Sequence, residues 1–236
     1  MLLLGIETST RRVGVVFASE DGLLARVELG GHAAAGPPRH AEQLTPAIEY
    51  CCKEIGTTLE HVSVIAVGIG PGMFTGLRVG VTTAKTLAQA LRIPMIPVPS
   101  LDLLAYPLRH SHALIVPAID ARRNEVYYAL YRAVPGGVQH ASGYEVGSPE
   151  DLVAELEARG EEAVLCGDGA LRFAPLLGQV EHVEMAGPAH AAPSMSALAE
   201  LAIARYQREE FCTPDEVLPM YLRKSDAELG WNRKDR

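Results

Sequence analysis

Glu7 ends a short apolar run and is followed at once by three hydroxyls, Thr8, Ser9 and Thr10, and by an arginine pair, Arg11 and Arg12. An acid and a row of hydroxyls in a tight turn could hold a phosphate. The hydroxyls would donate to its oxygens, and the carboxylate would hold a magnesium-bound water. The same residues also suit an ordinary turn rich in side-chain-to-backbone hydrogen bonds. A second acid, Asp120, stands in a similar setting just before Arg122 and Arg123. Glu7, Thr8, Ser9, Thr10 and Asp120 are thus the candidates for a vestigial phosphate loop, with the ordinary-turn reading kept beside it.

The segment "GIGPGMFTGLRVG" offers a different chemistry. Glycine-rich sequence between a strand and a helix is the layout of an anion site, because free backbone N–H groups and the helix dipole favour negative charge. The established patterns fail here: there is no G-x-G-x-x-G and no G-K-[ST], and Lys85 is far from the loop. The spacing says something else. Gly72, Gly76, Gly80, Ala84 and Ala88 recur every four residues and draw a stripe of minimal side chains down one side of a helix. Glycine inside a helix costs roughly 0.5–1 kcal/mol relative to alanine, so the stripe needs a close neighbour to explain it. That neighbour is either the chain's own sheet or a helix of another molecule; the spacing is read here as the second. Leu77, Val81, Leu87 and Leu91 would serve the chain's own core, and Arg78 is either solvated or a partner contact.

Other sites are missing. The eight histidines form no H-E-x-x-H or comparable spacing with a carboxylate, and no G-x-S-x-G elbow occurs. Four cysteines, at 51, 52, 166 and 212, include no C-x-x-C pair and suit a reducing cytosol. The expectation is therefore no catalytic residue, no metal and no cofactor. The competing expectation is a small ATP-binding phosphotransferase or ATPase using Glu7, the Thr8–Thr10 hydroxyls and Asp120. A peptidase has no nucleophile–base pair to support it.

The elements that must position these residues read as α/β. Strands are expected at 2–6, 13–18 and 23–29, with a turn at 19–22, then a loop over 30–39. Ala41, Leu44, Ile48, Cys51, Cys52 and Ile55 recur at helical spacing, although Pro46 either kinks that helix or starts it behind Thr45. Residues 62–70 are apolar on both faces, like a central buried strand. A helix to about 92, a strand at 93–98 and a helix from about 100 follow. The second part repeats the plan, with strands at 113–120 and 124–133, a helix over 148–160 capped by Ser148, a strand then a turn over 163–170 and an alanine-rich helix at 194–210. The stretch "SDAELGWNRKDR" reads as loose.

"LLLGIETSTRRVGVVFASEDG" and "LIVPAIDARRNEVYYALYRAVPGG" share an order: apolar strand, acid, polar gap, Arg-Arg, β-rich strand, turn. We read this as a duplicated α/β unit, residues 1–108 and 109–236, with the last ordered helix packing back on the first half and a cleft where the two acid-bearing turns face each other. Coincidence between two hairpins is the alternative. With 236 residues, about half hydrophobic, the chain can bury two cores. A formal net charge of -8 disfavours direct nucleic-acid gripping, which needs a basic excess. The N-terminus reads as a first strand rather than a signal peptide, and no run approaches a membrane span.

"LLGIETST…VGVV", "RHAEQLTPAI", "GPGMFTGLRVG", "IPVPSLDLLA", "IDARRNEVYYALY" and "LPMYLRK", in this order, closely resemble the bacterial TsaB (YeaZ) family from residue 2 to about 224. "GPGMFTGLRVG" is the most specific piece, with Met73 where serine is usual. The resemblance implies an actin/Hsp70-like ATPase superfold of two similar α/β halves with mixed central sheets flanked by helices. It also implies a cytoplasmic subunit that pairs with the catalytic subunit TsaD in making threonylcarbamoyladenosine in tRNA, with TsaE as the ATPase, tRNA touched only indirectly, and a homodimer when TsaD is absent. In TsaD the region like "IPVPSLDLLA" carries a metal-binding histidine pair; here those places read Pro99, Ser100 and Leu104. Pairing would use the two helices after residues 39 and 74. The expected interface residues are His40, Leu44, Ile48, Cys51, Cys52, Gly72, Gly76, Arg78, Gly80, Thr83, Ala84 and Leu87.

Overall fold

A computed structural model describes residues 1–30 and 36–223. The stretch expected to be loose, and part of the loop over 30–39, lie outside the described residues. The first sheet is built from β1 (Leu2–Glu7), β2 (Arg12–Ser19), β3 (Gly22–Gly30), β4 (Val64–Gly68) and β5 (Met95–Val98), in the order β3-β2-β1-β4-β5. β2 runs antiparallel to both β1 and β3, and β4 and β5 add in parallel beside β1. Alternation sorts their side chains to two faces. Leu4, Ile6, Val13, Val15, Ile65 and Val67 join the core under α1 (His40–Glu54) and α2 (Phe74–Leu91). Leu3, Val16, Val64 and Ala66 join the core under α7 (Met195–Gln207). The helix last in the described chain thus lies on the first sheet.

The second sheet repeats this plan with β6 (Leu114–Arg122), β7 (Glu125–Tyr128), β10 (Glu145–Gly147), β11 (Ala163–Cys166) and β12 (Val183–Met185). Its order β10-β7-β6-β11-β12 carries the same strand senses as the first. A hairpin of β8 (Tyr131–Val134) and β9 (Gly137–His140) is added to it. The strand expected over 124–133 is therefore two strands. β7 pairs with β6 and β10, whereas β8 keeps one pair with β6, Ile115 with Tyr131, and takes β9 as its other partner. Helices α4 (Pro149–Arg159), α5 (Asp168–Arg172) and α6 (Ala174–Leu177) complete the second half. Between the halves sits α3 (Ser100–Ala105). Its Leu103 joins the first half's core, and its Leu101 and Leu104 join the second's.

Pro46 neither starts nor ends α1; the helix runs through it. Leu44, Ala47, Ile48 and Cys51 are fully buried on one face. Burying each leucine or isoleucine contributes about 1.5–3 kcal/mol, which offsets a penalty of about 3 kcal/mol for proline inside a helix.

Candidate functional site

The turn joining β1 to β2 is the focus of the first half, and nearly all its polar groups point inward. Glu7, Thr8, Ser9 and Thr10 are 4%, 1%, 0% and 3% exposed. β1 and β4 pair in parallel through Ile6 and Val67, so the next residues, Glu7 and Gly68, lie side by side. Gly68 leaves room for the carboxylate, since a Cβ there would overlap Glu7 Oε2. Glu7 Oε1 accepts from the Ser9 N–H, and Oε2 accepts from Ser100 Oγ at 2.9 Å. Ser100 Oγ in turn accepts from the Gly70 N–H at 3.1 Å, and the Ser100 N–H donates to the Gly70 carbonyl at 2.8 Å. Burial is the main force on this carboxyl and pushes its pKa above the ordinary 4.5, opposed by hydrogen bonds from Ser9 and Ser100. The cavity beside Glu7 measures 10 Å³, room for one water.

The hydroxyls follow the acid inward. Thr8 Oγ1 donates to the Gly76 carbonyl at 2.8 Å, and Ser9 Oγ is buried with no partner among the described residues. The Met73 N–H donates to the Ser9 carbonyl at 2.6 Å. His40, at the start of α1, closes the turn from the other side with Nε2 2.7 Å from the Thr10 carbonyl. A carbonyl can only accept, so Nε2 carries the proton. Burial holds the His40 pKa below the ordinary 6.5 and keeps the ring neutral.

The glycine stripe has its explanation here, and it corrects the reading from spacing. A Cβ at Gly72 would overlap the Ser9 carbonyl, one at Gly76 the Thr8 carbonyl, and one at Gly80 Thr8 Oγ1. Ala84 and Ala88 are 0% exposed within the first core. The close neighbour is the chain's own β1–β2 turn. Gly76, Gly80 and Ala84, together with His40, Leu44, Ile48 and Cys51, are buried within this chain and have no surface to offer a partner. Of the twelve expected interface residues, Arg78 is exposed, and Cys52, Gly72, Thr83 and Leu87 are half-buried. Arg78 lies over the Phe74 ring, 3.9 Å from its centroid, and Tyr221 packs on the same ring at 5.2 Å.

The second acid-bearing turn is built differently. Asp120 Oδ2 accepts from Arg172 at 2.7 Å and pairs with Arg122 at 3.3 Å, while Oδ1 accepts from the Arg122 N–H at 2.9 Å. The Asp120 N–H donates to Asp168 Oδ1 at 3.0 Å, and burial pushes the Asp168 carboxyl up. The Glu7 carboxyl, by contrast, is packed against Gly68 and bonded to Ser100. Sequence reasoning missed Gly68, Asp168 and Arg172, and named Ser100 only as standing where the TsaD metal-binding histidines would be. A signal existed only for Gly68, a glycine ending a buried strand. Among the described residues no group of three His, Cys, Asp or Glu could hold a metal ion, and no helix is long and apolar enough to cross a membrane.

Comparison with known proteins bears on this geometry. Residues 36–231 match the TsaD family, described as tRNA N6-adenosine threonylcarbamoyltransferase. The chain is 31% identical over 235 residues to the tRNA threonylcarbamoyladenosine biosynthesis protein TsaB of Bacillus subtilis (strain 168), with 98% of each covered. The chain belongs to the TsaB (YeaZ) family. TsaB of Escherichia coli (strain K12) is 28% identical over 230 residues, covering 96% of both. A solved structure of an uncharacterized Pseudomonas aeruginosa protein with similarity to peptidase YEAZ superposes with a TM-score of 0.80 at 29% identity, covering 94% of this chain and 99% of the other. The two-sheet α/β architecture is shared, as a fold alone, with the solved ethanolamine utilization protein EutJ of Carboxydothermus hydrogenoformans, at a TM-score of 0.50 and 11% identity, covering 85% of this chain and 89% of the other. Membership of the TsaB family associates the chain with tRNA threonylcarbamoyladenosine biosynthesis.

Proposed function

We propose that this chain is a non-catalytic partner subunit that pairs with TsaD in threonylcarbamoyl transfer to the tRNA adenosine next to the anticodon. One observation carries the reading: the acid and hydroxyls that would hold a nucleotide phosphate are turned into the protein. Glu7 is seated on Gly68 under Ser100, and Thr8 Oγ1 is bonded to the Gly76 carbonyl. The turn serves as a packing block for α2, and the chain keeps an actin-like scaffold whose first phosphate hairpin has become structural. What remains for function is surface. On α1 and α2, Tyr50, Phe74 and Arg78 are exposed, and Cys52, Thr83 and Leu87 are half-buried. Aromatic and arginine side chains of this kind dominate protein interfaces energetically. The same face would pair two copies of the chain when TsaD is absent and would bring TsaE in through the complex. With a net charge of -8, tRNA would be held by the partners.

Two measurements test this. Calorimetry of the purified chain with ATP and magnesium should show no binding heat at millimolar nucleotide; saturable binding would favour an ATPase or phosphotransferase acting alone. Reconstitution of threonylcarbamoyl transfer with TsaD, TsaE and tRNA should require this chain and should tolerate Asp120→Asn. Loss of activity in that variant, with pairing intact, would return chemistry to the second turn.

A further inference from the structure

A carboxylate on α3 gathers one hydroxyl from a hairpin of the other half and one from the segment that follows it. Asp102 Oδ1 accepts from Tyr131 Oη at 2.7 Å and from Tyr144 Oη at 2.8 Å. Tyr131 begins β8 and is 1% exposed; Tyr144 follows β9. His140, the last residue of β9, completes the group. Its ring lies 4.4 Å from the Tyr131 ring, centroid to centroid, and its Nε2 is 3.1 Å from Tyr144 Oη and 3.5 Å from Asp102 Oδ1. Burial, and then the Asp102 charge, push both phenols far above the usual tyrosine range, so each remains a donor.

The hairpin has little else in the way of sheet pairing. β8 meets β6 at a single residue pair, Ile115 with Tyr131, and β9 pairs only with β8. An isolated two-stranded hairpin is marginal in water, so β8–β9 depends on what it is docked against. The docking surface is the Asp102 cluster together with the core shared with α3, in which Tyr131 is buried and against which Val138 and Tyr144 pack. Asp102 has a side-chain exposure of 16%, so the carboxylate sits at the edge of the junction rather than sealed within it.

We propose that the β8–β9 hairpin is a flap latched onto α3 by Asp102, able to lift from the inter-half junction while both sheets stay folded. This stands apart from the α1–α2 face and from the reading above. The test is hydrogen exchange on the full chain, comparing the wild type with Asp102→Asn and with Tyr144→Phe. The expected result is at least tenfold faster exchange of the amides over 131–141 in Asp102→Asn, a smaller rise in Tyr144→Phe, and unchanged exchange in β1, β4, β6 and β11. Adding Tyr131→Phe to Asp102→Asn should bring no further rise, because one unit has already opened. Trypsin should also cut after Arg132 faster in the variant. Unchanged hairpin exchange, or an equal rise across the whole second sheet, would overturn the proposal; the first means the latch holds nothing, and the second means the hairpin is an integral part of the core.

Discussion

At Gly80 an added methyl would collide with a side-chain atom, Thr8 Oγ1, and at Gly76 with a backbone atom, the Thr8 carbonyl oxygen. That difference gives a sharp expectation. Each glycine-to-alanine change should lower stability by about 1–3 kcal/mol, as overpacking does, despite alanine's better helix propensity. Adding Thr8→Ala should recover most of the loss for Gly80→Ala and none for Gly76→Ala. Urea denaturation reads all four variants, with the exposed Thr82→Ala as a control within about 0.5 kcal/mol of wild type. If Gly80→Ala behaved like the control, the stripe would face outward after all. The buried acid and imidazole give opposite pH signatures. Glu7 has a raised folded pKa, so its contribution is complete below its ordinary 4.5 and is lost as pH rises through the folded value. His40 has a lowered folded pKa, so its contribution is present above the ordinary 6.5 and is lost as pH falls through the folded value. Denaturation across pH 4–9 should therefore show Glu7→Gln flattening the loss on the alkaline side, leaving the acid-side loss from His40 in place. An unchanged alkaline limb in that variant would mean that Glu7 does not titrate inside the fold. The small-residue stripe was legible in the sequence. What it packs against was not, because spacing along a helix identifies a face without saying which element, or whose, lies on it.

Element by element, legibility tracked how local the determining contacts are. The expected helix over 148–160 needed nothing beyond its own residues. Ser148 Oγ accepts from the Asp151 N–H at 3.1 Å, the Asp151 carboxylate returns the bond to the Ser148 N–H at 2.9 Å, and Gly160 ends the helix at a φ of 61°. Ser148→Ala should cost about 1 kcal/mol in thermal or urea unfolding; a neutral result would show α4 held by packing alone. Where the contacts are distant, the reading failed. Nothing local announces that the chain exchanges β10 for β9 as its outer neighbour between Tyr128 and Tyr131, since the β-rich composition is continuous. Pro46 misled for the same reason: the face holding α1 in place, Leu44, Ala47, Ile48 and Cys51, outweighs a local breaker through contacts the sequence does not print. The segment after α7 is another long-range case. It crosses α2, where Lys85 donates to the Val217 carbonyl at 2.9 Å and Gln89 to Asp215 at 3.2 Å, and these tie residues more than 120 positions apart.

For the molecule as a whole, the duplicated order of strand, acid, arginine pair and strand foretold two sheets of matching order and sense, because a repeat in sequence constrains topology directly. The divergence between the copies was not legible. Asp120 is ion-paired near the surface, whereas Glu7 is sealed beneath Ser100, and only three-dimensional neighbours separate two acids that look alike in sequence. On the proposed reading, that divergence leaves the surface of α1 and α2 for pairing with TsaD. The most direct measurement is light scattering of the chain mixed with its cognate TsaD, comparing wild type with Thr83→Arg and Arg78→Glu, and with Gln139→Lys in β9 as a control. The account predicts a one-to-one complex for wild type and control, and at least tenfold weaker association for the two α2 variants with their melting temperatures unchanged. A wild type that stays separate from TsaD, or α2 variants that pair as tightly as wild type, would contradict it.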